Sequence, residues 1–213
     1  MHVRLLLACA LVLERAGCSK RTAGAAPAKV VAAARRGDDA AVLAWLDGGG
    51  RADATYAYND QIGRSELSLL MAAASRGHER VVEVLLQRGA EIDMQSSKSL
   101  EGVTALMAAA SQGHERVVDL LIQRGADIDL QSRVGYTALI VATGSNHPAV
   151  VQRLLRAGAD TTLCGEDGKT ALMIAKEMGQ TECARAVEEH AGTKLPPPPP
   201  LQQPHRPPPE HVD

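Results

Sequence analysis

Three histidines, His78, His114 and His147, recur at spacings of 36 and 33 residues. With the aspartates Asp93, Asp127 and Asp129 and the cysteines at 9, 18, 164 and 183, they are the residue types from which metal centres and general acid–base sites are built. Such a site needs convergence, because metal–nitrogen bonds are about 2 Å long. Each histidine holds the same place in a copied unit. Stacked helical units lie roughly 10 Å apart, so three equivalent rings cannot close on one ion. The spacing instead predicts a ring nitrogen that braces an adjacent turn. The aspartates fall in turns of separate units, where a carboxylate bonds its own backbone. No cysteine pair has metal-ligand or redox spacing, so Cys164 and Cys183 read as small buried or half-buried thiols. The sequence lacks G-x-S-x-G, a lysine-bearing phosphate loop and H-E-x-x-H. The expectation is no catalytic residue, no metal, no cofactor and no small-molecule substrate.

The elements that position these residues are written twice over. Met71 to Ser96 reads MAAASRGHERVVEVLLQRGAEIDMQS, and Met107 to Ser132 repeats it with only six of 26 positions changed. The repetition extends beyond these two copies. A Ser/Thr-led unit recurs at Ser68, Thr104, Thr137 and Thr170, at spacings of 36, 33 and 33. Nine residues after each comes Gly77, Gly113, Asn146 or Gly179, followed by His78, His114, His147 or Gln180. A drifted earlier copy runs from Ala28 through Gly37 to Gly49, with Trp45 and Leu46 among its aliphatic positions. In one unit the Ser/Thr hydroxyl caps a short Ala-rich helix. The glycine, or Asn146, ends it in the left-handed region. A second helix follows, with Pro148 at its first turn in one copy. Its valines and leucines form one buried face, and Gly89, Gly125 or Gly158 closes it. One unit cannot bury its own apolar face, but a stack can.

Composition agrees with such a stack. The 213 residues are 45% hydrophobic but only 2% aromatic, with no Phe and one Trp, so the core must be made of Ala, Val, Leu, Ile and Met. A net charge of -2 leaves no basic field for nucleic acid.

The pattern resembles the ankyrin repeat, whose unit reads roughly G-x-T-P-L-H-x-A-A-x-x-G-H followed by V-V-x-L-L-x-x-G-A-D. The resemblance covers about residues 28–191, as five units near 28–60, 64–97, 100–132, 133–165 and 166–191, the terminal two degenerate. The family's Pro is replaced by Leu69, Ala105, Ala138 and Ala171, and its first His by Met71, Met107, Ile140 and Met173. Two connecting fingers, 51–67 and 93–103, are longer than the family's. The resemblance implies an all-α solenoid of antiparallel helix pairs with short hairpin-like fingers, acting as a non-catalytic adaptor or scaffold. It implies binding of a protein partner, of unstated identity, through two sets of residues. On the fingers these are Tyr56, Tyr58, Lys98, Leu100, Arg133, Val134, Tyr136, Glu166 and Asp167. On the concave helix face they are Arg35, Arg36, Ser75, Arg76, Ser111, Gln112, Ser145, Glu177 and Met178. All three tyrosines of the chain fall in fingers, which reads either as interface anchors or as packing on neighbouring fingers. The chain is expected to be monomeric.

The two ends carry no repeat. Residues 1–27 hold an apolar run from Leu5 to Leu13, too short to span a bilayer as a helix. This leader reads as a signal segment or as a stretch packing on the first unit. The location follows it: intracellular, or secreted or lipid-anchored in a structural role if the leader is a signal. Residues 192–213 carry nine prolines between Pro196 and Pro209. That tail reads as a disordered polyproline segment, either a ligand for a polyproline-binding domain or a spacer.

Overall fold

The computed structural model describes residues 25–59, 64–98 and 102–194. Ten helices fall there in five pairs: α1 (Ala28–Arg36) with α2 (Asp39–Asp47), α3 (Leu69–Ala74) with α4 (Glu79–Gln87), α5 (Ala105–Ser111) with α6 (Glu115–Gln123), α7 (Ala138–Gly144) with α8 (Pro148–Arg156), and α9 (Ala171–Glu177) with α10 (Thr181–Lys194). The first helices α1, α3, α5, α7 and α9 pack in succession, as do the second helices α2, α4, α6, α8 and α10. The result is a two-layered all-α solenoid.

Local chemistry starts and stops each helix. The side-chain oxygens of Ser68, Thr104, Thr137 and Thr170 accept the backbone N–H three residues on, at 3.2, 3.2, 3.3 and 3.4 Å, satisfying a donor the helix cannot. Gly77, Gly113 and Gly179 end the first helices at positive φ, and Asn146 does so at φ 60. The interior first helices are buried along their whole length. Their alanines let neighbouring helices approach closely, and one continuous core, mostly of Ala, Val, Leu, Ile and Met, runs through the stack. Along the second helices, ion pairs link each unit to the next: Arg88 to Asp47 at 2.6 Å, Arg124 to Glu83 at 3.2 Å and Arg153 to Glu115 at 2.8 Å. These are solvent-washed and individually weak.

The long first finger forms a β-hairpin between the helix pairs, in keeping with the hairpin-like fingers expected there. β1 (Thr55–Asn59) pairs antiparallel with β2 (Arg64–Ser68), and β3 (Ser97–Lys98) of the second finger adds to β2. Tyr56 lies opposite Leu67, and both are buried. The alternation in Thr55–Tyr56–Ala57–Tyr58 is the period of a strand with one buried face. Ala25 bridges Thr55, and the Ala26 N–H donates to the Thr55 carbonyl at 2.8 Å. At the other end α10 continues to Lys194.

Candidate interaction surface

The three histidines do not converge. Nε2 of His78 donates to the Arg35 carbonyl at 2.9 Å, that of His114 to Ser75 at 3.1 Å, and that of His147 to Ser111 at 3.1 Å. A carbonyl only accepts, so Nε2 carries the proton in each ring. Each ring thus ties its unit to the last turn of the preceding first helix, as the spacing predicts. Gln180 takes the same place in the fifth unit and donates from Nε2 to the Gly144 carbonyl at 3.2 Å. Asp38 takes it in the first unit and caps its own helix instead, accepting from Ala41 N–H at 3.0 Å. Burial holds the His114 imidazole below its ordinary pKa, the Ser75 carbonyl opposes that shift, and His147 and His78 on either side add to it. Among the described residues no group of three or more His, Cys, Asp or Glu could hold a metal ion.

The aspartates do more than bond their own turns. Asp127 does so, accepting from Asp129 N–H at 3.0 Å. Asp53, Asp93 and Asp129 instead reach across to the following finger, accepting from the N–H groups of Glu91 at 2.7 Å, Asp127 at 3.0 Å and Asp160 at 2.8 Å. Gln95 and Gln131 form a parallel row, donating to the carbonyls of Gln131 at 2.9 Å and Cys164 at 3.1 Å. Sequence reasoning missed both rows, although Asp53, Asp93 and Asp129 each stand four residues after a closing glycine. Both described cysteines are free thiols; Cys183 is buried as expected, and Cys164 is exposed.

The expected finger residues separate into three groups. Arg133 and Glu166 are exposed, and Val134 and Asp167 are half-buried. Tyr56 and Tyr136 are core residues, 5% and 7% exposed, and this corrects their place among the surface contacts. Tyr136 lies against Gly165, where an added Cβ would come within 2.3 Å of the ring. With no Phe in the chain, tyrosine supplies the bulk that fills these finger bases. Tyr58 and Lys98 belong to β1 and β3, their side chains lying outside the described residues, as does Leu100 altogether.

The concave set also divides. Ser75 and Ser111 are buried, and their hydroxyls donate to Ala72 at 3.0 Å and Ala108 at 2.9 Å in their own helices. They are structural residues, a second correction, because the first helices are covered up to their last turn. The positions one residue later do reach the surface: Arg36 and Met178 are exposed, and Arg76, Gln112 and Ser145 are half-buried. Arg35 is half-buried, and Glu177 is exposed and ion-paired with Lys169.

The leader before Ala25 and the proline tail after Lys194, on which the signal-segment and polyproline-ligand expectations fall, lie outside the described residues. No helix among the described residues is long and apolar enough to cross a membrane.

A family model described as ankyrin repeats in three copies matches residues 30–132 and again 124–195. No curated protein matches the chain. The family matches run across all five helix pairs, and the chain belongs to the ankyrin repeat family.

Proposed function

We propose that the chain is a non-catalytic adaptor or scaffold that holds a protein partner against its concave side and its exposed finger residues. Ankyrin repeats generally mediate protein–protein interaction, and proteins built from them are typically non-enzymatic. The observation that carries the reading is how the repeated polar groups are used. The repeated histidines and aspartates are spent on joining one unit to the next. What changes from unit to unit on the open side is the row Arg36, Arg76, Gln112, Ser145, Met178, with Arg133 and Glu166 on the fingers. A constant frame with a varied surface row is how a solenoid presents a binding face, and arginine and methionine are favoured anchors there.

The test is a paired capture experiment with the full chain. One variant carries R36E, R133E and E166R on the proposed face. A control carries R116E and R156E on the second-helix side, where both residues are exposed. A protein retained by the wild type and the control but lost by the face variant supports the reading. Loss with the control alone, or equal retention by all three, refutes it.

A further inference from the structure

The two ends of the stack are finished differently. The residue one place after each Ser/Thr cap is buried in every unit that has another before it: Leu69, Ala105, Ala138 and Ala171. In the first unit, before which no helix pair stands among the described residues, that place is Lys29, and it is exposed. The residue three places after the cap is buried in every such unit that has another after it: Met71, Met107 and Ile140 are each 1% exposed. In the last unit that place is Met173, which is 52% exposed, with Met178 nearby in sequence at 40%. These are the large hydrophobics that stand exposed among the described residues. Solenoid ends require a polar outer face. The upstream end has one, and the downstream end keeps the methionine of an interior unit.

We propose that residues 195–213 fold back over Met173 and serve as the missing cap of the downstream end. This goes beyond the adaptor reading and does not depend on it. The segment leaves from the right place, because it follows α10 directly and α10 packs on α9. With 14 residues against 7, antiparallel α10 runs on about 10 Å past the start of α9. Met173 lies about 3 Å further in along α9, so with about 13 Å along the axis and roughly 10 Å between packed helices the straight return to Met173 is about 17 Å. Leu201 stands seven residues after Lys194, a reach of about 22 Å as extended polyproline chain, which is enough to bring it onto Met173. The composition suits the task. Leu195 to Leu201 carries no charge, and prolines bring no N–H donor that burial would leave unsatisfied. The apolar run Leu5–Leu13 is a poorer occupant. It joins the stack at Ala25, beside Thr55 of the first finger, and would need its whole connecting length fully extended to cross four units of roughly 10 Å.

Methionine oxidation reads the cover directly. The full chain and an L195D/L201D variant are treated with dilute peroxide, and sulfoxide at each methionine is followed by peptide mass spectrometry. Met71 and Met107 report that the stack is intact in both. A tethered segment at millimolar effective concentration against a contact of order 0.1 mM gives about tenfold protection. Met173 should therefore oxidise about tenfold more slowly in the wild type than in the variant, at every protein concentration. Equal rates at Met173 in the two chains overturn the proposal. Protection that fades on dilution makes a second copy the occupant and overturns it as well.

Discussion

Nδ1 of His114 stands directly over Gly77, so close that a Cβ placed on that glycine would lie 2.6 Å from it. The same contact joins His78 to Gly37 at 2.7 Å and His147 to Gly113 at 2.6 Å. Each glycine therefore meets two demands at once. It ends its helix at positive φ, and it leaves room for the ring of the next unit. Gly77→Ala should cost about 2–3 kcal/mol, combining left-handed strain with the clash. Gly179 has the same backbone, φ 69, but nothing within 4 Å, so Gly179→Ala should cost only about 1 kcal/mol. Chemical denaturation of the two variants measures the difference. Equal losses would mean that the ring contact carries no energy.

The fourth junction breaks this rule in both partners. Asn146 replaces the glycine, and Gln180 replaces the histidine, keeping the donated bond to the preceding helix end. A flexible amide avoids the Cβ that an imidazole would strike. Gln180→His should therefore destabilise the last unit by about 1–2 kcal/mol, and adding Asn146→Gly should recover most of that loss. A double-mutant cycle read by hydrogen exchange in α10 tests the coupling. Additive effects would sever the link between the two positions.

Protonation of the ladder opposes folding at His114. Its folded pKa lies below the ordinary 6.5, first because of burial and then because His147, His78 and Arg76 face it, against the raising effect of the Ser75 carbonyl. The unfolded chain then binds more protons as pH falls through the unfolded value. Stability from this group is complete above 6.5 and is lost as pH drops toward the folded pKa. His114→Gln keeps a donor but cannot titrate. The wild type should lose stability relative to H114Q between about pH 7 and pH 5. A difference that stays flat over that range would show that the ring stays neutral without cost.

The helical frame was legible because its signals are local. Ser68, Thr104, Thr137 and Thr170 each cap within three residues, and a glycine at positive φ is a demand of its own backbone. The bracing histidines were legible too, because equivalent places in stacked units cannot meet. The fingers were not. Whether Asp93 bonds its own turn or reaches Asp127 is fixed by how neighbouring units stack, which no single unit encodes. Ser75 and Ser111 sit beside surface positions in sequence, yet both are buried because the helix turns them inward. The β1–β2 pairing needed the extra length of the first finger as well as its alternation.

The tyrosines show the same limit, and they give the last test. Tyr136 is 7% exposed, its ring lies on Gly165, and its hydroxyl approaches Asp167 only to 3.5 Å. The ring fills space between the fingers. Tyr136→Phe keeps that ring and should cost no more than about 1.5 kcal/mol, the worth of one hydrogen bond. Tyr136→Ala opens a cavity between two fingers and should cost about 3 kcal/mol. Arg133→Ala, three residues away and exposed, should cost almost nothing while remaining free to alter partner binding. Thermal unfolding of the three variants separates core from surface in one finger. A Tyr136→Ala protein as stable as Arg133→Ala would return the tyrosine to the binding face.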